Sequence, residues 1–97
     1  MYAVYDKLDR IYRILKVISE NPKITTNKII ENVRGVRMTV IQYLELLEKA
    51  GFIARLEDNE TPLPYYYKRP KRHILTPRGE KLLELLEQIL PLIEDLT

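Results

Sequence analysis

Over the first twenty residues, Leu8, Ile11, Leu15 and Ile18 recur at spacings of three and four, with Val4, Ile14 and Val17 widening the stripe. That period belongs to one face of an amphipathic helix and predicts α-helix over about residues 6–20. Asn21-Pro22 ends it, because the residue before a proline disfavours helical backbone, and Lys23-Ile24-Thr25 forms a short extended link. Thr25 or Thr26 can cap a second, short helix that buries Ile29, Ile30 and Val33. Gly35, free to take left-handed backbone, is expected to stop it. A third helix follows over RMTVIQYLELLEKA, residues 37–50, with Val40, Tyr43, Leu44 and Leu47 on one face and Gly51 behind it.

The period then shortens to two. FIARLE (52–57) reads as a strand, DNETPLP (58–64) as turn chemistry, and HILT (73–76) as the returning strand. Thr76-Pro77 opens a last helix, with a hydroxyl at the cap and proline at the first helical position. This helix carries Leu82, Leu85, Leu86, Ile89 and Ile93 along one stripe and Leu83 and Leu90 on a second side. That is more apolar surface than one contact face needs. Pro91 is expected to kink or interrupt it, since proline removes a backbone donor and clashes one turn back.

A chain of 97 residues, 45% hydrophobic and 31% charged, fits one folded domain with a modest core. The absence of cysteine removes disulfides and thiolate metal sites and suits a cytoplasmic protein. No apolar run reaches membrane-span length, and the N-terminus lacks a signal-peptide core. Charge is distributed unevenly. Residues 1–51 carry net +3, residues 52–76 net +2 and residues 77–97 net −3. A polyanion is drawn to the body and repelled by the tail.

Catalytic chemistry finds little footing. His73 is the one histidine, with no cysteine and no paired acidic motif beside it, so no metal is expected, and the residue reads as part of a strand. The one serine, Ser19, has no histidine near it, and three glycines make no phosphate-cradling loop. Glu80, Glu84 and Glu87 form a solvated helix face. The chain is read as no enzyme and as needing no cofactor.

Helix, extended link, short helix, turn, longer helix and hairpin give an α+β, mostly α fold class: a winged helix-turn-helix with an added C-terminal helix. The strings GVRMTVIQYLELLEKAGFI (35–53) and ILTPRGEKLLELL (74–86) resemble archaeal, or archaeal-virus, winged-helix DNA-binding proteins. The resemblance lies in Tyr43-Leu44, Leu47, Gly51 and Ile53, then in Leu75-Thr76, Gly79 and Leu82 or Leu83. It implies a regulator of transcription that binds double-stranded DNA and dimerises through the helix after the wing. Residues 1–76 would be the DNA-binding domain. Residues 77–97 would be a dimerisation helix packed on it, using Leu82, Leu85, Leu86, Ile89 and Ile93. The wing departs from the usual tight hairpin, since roughly fourteen residues separate its strands.

In such a motif the N-terminal half of the second helix meets base edges in the major groove. Within helix 37–50 this points to Arg37, Met38, Thr39, Ile41 and Gln42: arginine for guanine, glutamine for adenine, threonine for a phosphate or a thymine methyl. Lys28 and Arg34 would hold flanking phosphate. The wing, residues 57–73, contains YYYKRPKR (65–72), whose Lys68, Arg69, Lys71 and Arg72 would lie along the DNA backbone or the minor groove. Its tyrosines would pack partly beneath the wing. Glu45 and Glu48, with Met38 and Ile41, leave open a winged helix that docks a protein, and an architectural protein without sequence preference would use the same wing but not need Arg37 or Gln42.

Overall fold

The computed structural model describes residues 2–57 and 71–95. Its elements are α1 (Tyr2–Glu20), β1 (Ile24–Thr25), α2 (Thr26–Asn32), α3 (Arg37–Lys49), β2 (Ile53–Glu57), β3 (Lys71–Leu75) and α4 (Pro77–Glu94). Helix α1 starts a turn earlier than the hydrophobic pattern predicts. It ends at Asn21, whose backbone and side-chain nitrogens both donate to the Val17 carbonyl at 3.0 Å. Lys23 follows with a φ of 67°, a left-handed conformation uncommon outside glycine.

Thr25 caps α2, its hydroxyl accepting from the Lys28 backbone nitrogen at 3.3 Å. Gly35 does not stop this helix as expected. Val33 ends it in extended backbone, and the φ of 155° at Gly35 lies far from the left-handed helical region. Helix α3 ends in a Schellman arrangement. Phe52 N–H reaches back to the Leu47 carbonyl at 2.9 Å and Gly51 N–H to Glu48 at 3.0 Å, and Gly51 supplies the positive φ of 85° that this reversal needs.

The three strands form an antiparallel sheet in the order β1-β3-β2. His73 in the central strand lies opposite both Ile24 and Arg55, and Leu75 lies opposite Ile53. Strand β3 begins at Lys71, so the last two cations of the basic run stand inside it, and Thr76 is the cap of α4 rather than a strand residue. The core gathers Ile14, Leu15 and Ile18 of α1, Ile29 of α2, Val40, Leu44 and Leu47 of α3, Ile53, and Leu83, Leu86 and Leu90 of α4.

Helices α1 and α4 run antiparallel: Lys16 pairs with Glu87 at 3.3 Å near the middle, while Tyr5 lies beside Glu94 at one end. The hydrogen bond that Lys16 donates to the Glu87 carboxylate holds the Lys16 pKa above its ordinary value. Helix α4 runs through Pro91 to Glu94 without the interruption expected there. Pro91 has no N–H to offer the Glu87 carbonyl, and it stands one turn from the end, so little helix follows it. Among the described residues no helix is long and apolar enough to cross a membrane.

The start of α4 is locked to the end of α3. Thr76 N–H donates to the Phe52 carbonyl at 3.2 Å, Thr76 Oγ1 donates to the Gly51 carbonyl at 2.6 Å, and the same oxygen accepts from Gly79 N–H at 3.0 Å. A Cβ at Gly79 would lie inside the van der Waals shell of the Phe52 carbonyl oxygen. Alanine normally stabilises a helix by about 1 kcal/mol over glycine. Gly79→Ala should instead destabilise by about 1–3 kcal/mol, as overpacking does, read as a lower urea midpoint. A raised midpoint would show that the contact yields.

Candidate nucleic-acid interface

Each turn of α3 divides its side chains among three directions. Val40, Leu44 and Leu47 are no more than 4% exposed and face the core. At about 100° per residue, Arg37, Ile41 and Glu48 then fall on the flank beside the sheet, and Met38, Gln42, Glu45 and Lys49 point straight outward. The exposures agree: Met38 is 61% exposed, Gln42, Glu45 and Lys49 are exposed, and Ile41 and Thr39 are half-buried. Val36, at the N-cap, cannot cap by a side-chain bond and is 68% exposed.

Arg37 is held aside. Its Nη1 donates to Asn27 Oδ1 of α2 at 3.1 Å, tying the starts of the two helices together. Lys28 is exposed and paired with Glu31 at 3.3 Å, and Arg34 is exposed in the turn between α2 and α3. Arg34 and Arg37 thus flank the α2–α3 turn, just before Met38 and Gln42 on α3, whereas Lys28 stands in the first turn of α2 near Lys23 and Arg72.

The basic run behaves differently from a single patch. Successive side chains of a strand point to opposite faces. Lys71 therefore shares the face of His73 and Arg55, looking toward α3, whereas Arg72 lies on the other face. Arg72 is half-buried, and its Nη1 donates to the Lys23 carbonyl at 3.0 Å, so this residue also braces the link before α2. Lys68, Arg69 and the three tyrosines lie outside the described residues.

Between α3, the start of α2 and the sheet lies a cleft of about 380 Å³ lined by Thr26, Asn27, Arg37, Ile41, Glu45, Glu48, Arg55, Lys71 and His73, among others. Glu48 pairs with Arg55 across it at 3.7 Å. His73 is only 3% exposed; its Nε2 lies 2.8 Å from Thr26 Oγ1, and its Nδ1 is buried with no partner among the described residues. Burial pushes the His73 pKa down, against the pull of Glu48 and together with the repulsion of Arg55 and Lys71. The ring is thus neutral and joins β3 to α2. Sequence reasoning placed His73 in a strand but missed this link. The available signal was its two-residue spacing from Leu75, which puts it on the inward face.

On α4 the assignment of faces needs correcting. Leu86 does not belong to an outward stripe. It is 3% exposed and packs in the protomer's own core with Leu83 and Leu90. Leu82 is half-buried against that core, and Ile93 is half-buried. The exposed apolar line is Leu85 (40%), Ile89 (42%) and Leu92 (68%), at helical spacing, and Leu92 was missed. The two stripes share a wide apolar helix in which only packing against α1 decides which is inside.

Residues 8–54 match the family model described as winged helix-turn-helix DNA-binding. Among solved structures, the transcriptional regulator SlyA is similar at a TM-score of 0.68 and 29% identity, over 87% of this chain and 57% of that one. Streptococcus pneumoniae FabT in complex with DNA is similar at a TM-score of 0.66 and 20% identity, over 88% of this chain and 55% of that one. AF1382 from Archaeoglobus fulgidus is similar at 0.66 and 17%, over 89% of each chain. The fold is a winged helix-turn-helix. Helices α2 and α3 are the motif, and β2 and β3 are the strands of the wing. The chain spans little more than half the length of SlyA and FabT. Comparison with curated proteins gives no match.

His73 gives the winged helix a pH dependence of definite sign. Its folded pKa is lowered, so as pH falls below about 6.5 the unfolded chain takes up a proton first. The stability present above that value is then lost through the window between it and the depressed folded value. Urea midpoints at about pH 7.5 and 5.5 should show this loss in the wild type and a smaller one in His73→Gln. An equal loss in both would assign the effect to other groups.

Proposed function

We propose that the protein is a transcriptional regulator that binds double-stranded DNA as a homodimer, with α3 as recognition helix in the major groove and the wing on the backbone or minor groove. One observation carries this reading: the outward N-terminal half of α3 presents Met38 and Gln42 to solvent, while Val40, Leu44 and Leu47 anchor the helix rigidly from behind. A base-reading surface needs that combination of exposure and support. The similarity to SlyA and to DNA-bound FabT, and the family model over the motif, support it. Lys28, Arg34 and Lys71 flank the helix as phosphate contacts, and Arg37 reaches either phosphate or guanine after leaving Asn27. Thr39 meets a phosphate at the edge of the groove. Lys68, Arg69 and Arg72 extend the basic wing.

Residues 1–76 serve as the DNA-binding domain and residues 77–97 as the dimerisation helix. Leu85, Ile89 and Leu92 are the apolar side chains that a twofold partner would cover, with Leu82 and Ile93 at the edges. Each large aliphatic side chain gains about 1.5–3 kcal/mol on burial, and the acidic charge of this helix keeps the pair away from the DNA. The two recognition helices then read a roughly palindromic site. A second reading also has an observation behind it: Val36, Met38 and Leu46 are all more than 60% exposed, which suits a protein partner for α3.

Mobility shifts with random and genomic duplexes at two salt concentrations separate these readings. With six to eight phosphate contacts per dimer, log K should fall against log salt with a slope of about −5 to −7. Lys71→Ala should flatten that slope by about 1 per protomer. A protein that binds no duplex, or binds with no salt dependence, would favour the protein-docking reading. Sedimentation should give a dimer for the intact chain and a monomer for Leu85→Glu/Ile89→Glu. A wild-type monomer at micromolar concentration would remove the twofold site.

A further inference from the structure

The tip of α3 presents an unusual mixture for a groove-reading helix. Its one cation, Arg37, is turned back onto Asn27 at 3.1 Å. What remains outward is apolar or neutral: Val36 at 68% exposure, Met38 at 61%, and Gln42 one turn further on. Gln42 has no side-chain partner among the described residues. Met38 points away from the core, which Val40 and Leu44 fill from the opposite face, and Val36, at the N-cap, is left exposed beyond it. Arg34, exposed in the turn just before the tip, and Arg37 itself add positive charge beside this apolar centre and draw a polyanion toward it.

In the major groove, the only apolar group on a base edge is the thymine C5-methyl, and a glutamine amide matches the N6 and N7 of adenine in a bidentate pair. Met38 and Gln42 stand four residues apart on one face, about 5–6 Å between their Cβ atoms. That separation spans one to two base steps of about 3.4 Å. Resting on the regulator reading above, we infer that α3 is a reader of A·T base pairs: Val36 and Met38 pack on thymine methyl groups, and Gln42 pairs with an adenine of a neighbouring step. Specificity at the tip then comes from methyl burial, and the flanking cations set affinity without sequence preference.

Replacing thymine by deoxyuridine removes the methyl and leaves every hydrogen-bonding group of the base in place. The full chain would be used to select a duplex from a random pool, and each thymine of the selected site would be replaced in turn. At the thymines under the tip, binding should weaken about three- to fivefold per methyl, the scale of one buried carbon. The Val36→Ser/Met38→Ser variant should bind the thymine and deoxyuridine duplexes equally. Both positions are exposed and serine at position 36 can cap α3, so its melting temperature should equal or exceed that of the wild type. Gln42→Ala should lose the preference for adenine at one position and keep the response to deoxyuridine. Sequence-specific binding that is indifferent to deoxyuridine throughout, or a selected site with only G·C pairs under the tip, would overturn this inference and leave the regulator reading standing. Failure to select any duplex would overturn both.

Discussion

Thr76 joins four elements through one side chain and one peptide group. Its hydroxyl donates to the Gly51 carbonyl at the end of α3 and accepts from Gly79 in the first turn of α4, while its backbone N–H takes the Phe52 carbonyl at the start of β2. These bonds satisfy groups that a helix end and a helix start would otherwise leave bare. They also fix geometry. Helix α3, the first wing strand, the second wing strand and α4 meet at one point, and none can rotate there without breaking a bond. Gly51 and Gly79 permit the approach, one by its positive φ and the other by having no Cβ to strike the Phe52 carbonyl. Arg78 then covers Phe52, its guanidinium 4.8 Å from the ring centroid.

That junction determines which side of α4 is free. Once the helix leaves Thr76 at a fixed angle, Leu83, Leu86 and Leu90 fall against α1, and Lys16 meets Glu87 across the seam. Leu85, Ile89 and Leu92 are then left outside. The same constraint reaches α3 from its other end. The Schellman turn holds its C-terminus, and the Arg37–Asn27 bond holds its N-terminus to α2. The outward residues between those two anchors inherit a fixed orientation without making structural bonds of their own, which leaves them available for a partner.

The sequence was informative where one residue type answers one backbone demand. Thr76-Pro77, Asn21-Pro22 and Gly51 placed their helix ends to within a residue, and the helical period located Val40, Leu44 and Leu47. It was less so where several residues can answer the same demand. Gly35 looked like the stop of α2, yet Val33 ends the helix in extended backbone. In α4 two apolar stripes have the same composition, so periodicity finds both without ranking them, and Leu86 went to the wrong one. The basic run showed its charge but concealed its geometry. Only the strand register separates Lys71, facing α3, from Arg72, which bonds to the Lys23 carbonyl. Arg37 was a natural guanine reader by type. That Asn27 engages it depends on the angle between two helices, which no local pattern encodes.

The neutral ring of His73 completes the coupling between motif and wing. The central strand begins with Lys71 and Arg72 and leads into Thr76, and His73 lies between them with its Nε2 on Thr26. A purely apolar residue there would fill the same space but leave α2 and β3 joined only by packing, which is non-directional. A hydrogen bond specifies orientation. The price is a buried Nδ1 without a partner among the described residues, a smaller penalty if that nitrogen is the bare acceptor and Nε2 carries the hydrogen to Thr26. Protonation removes that choice, because both ring nitrogens then need acceptors. Burial opposes the added charge most, Glu48 favours it while pairing with Arg55, and Arg55 and Lys71 oppose it. Burial thus keeps the ring neutral against the pull of Glu48, and in that state its bond to Thr26 orients β3 on α2.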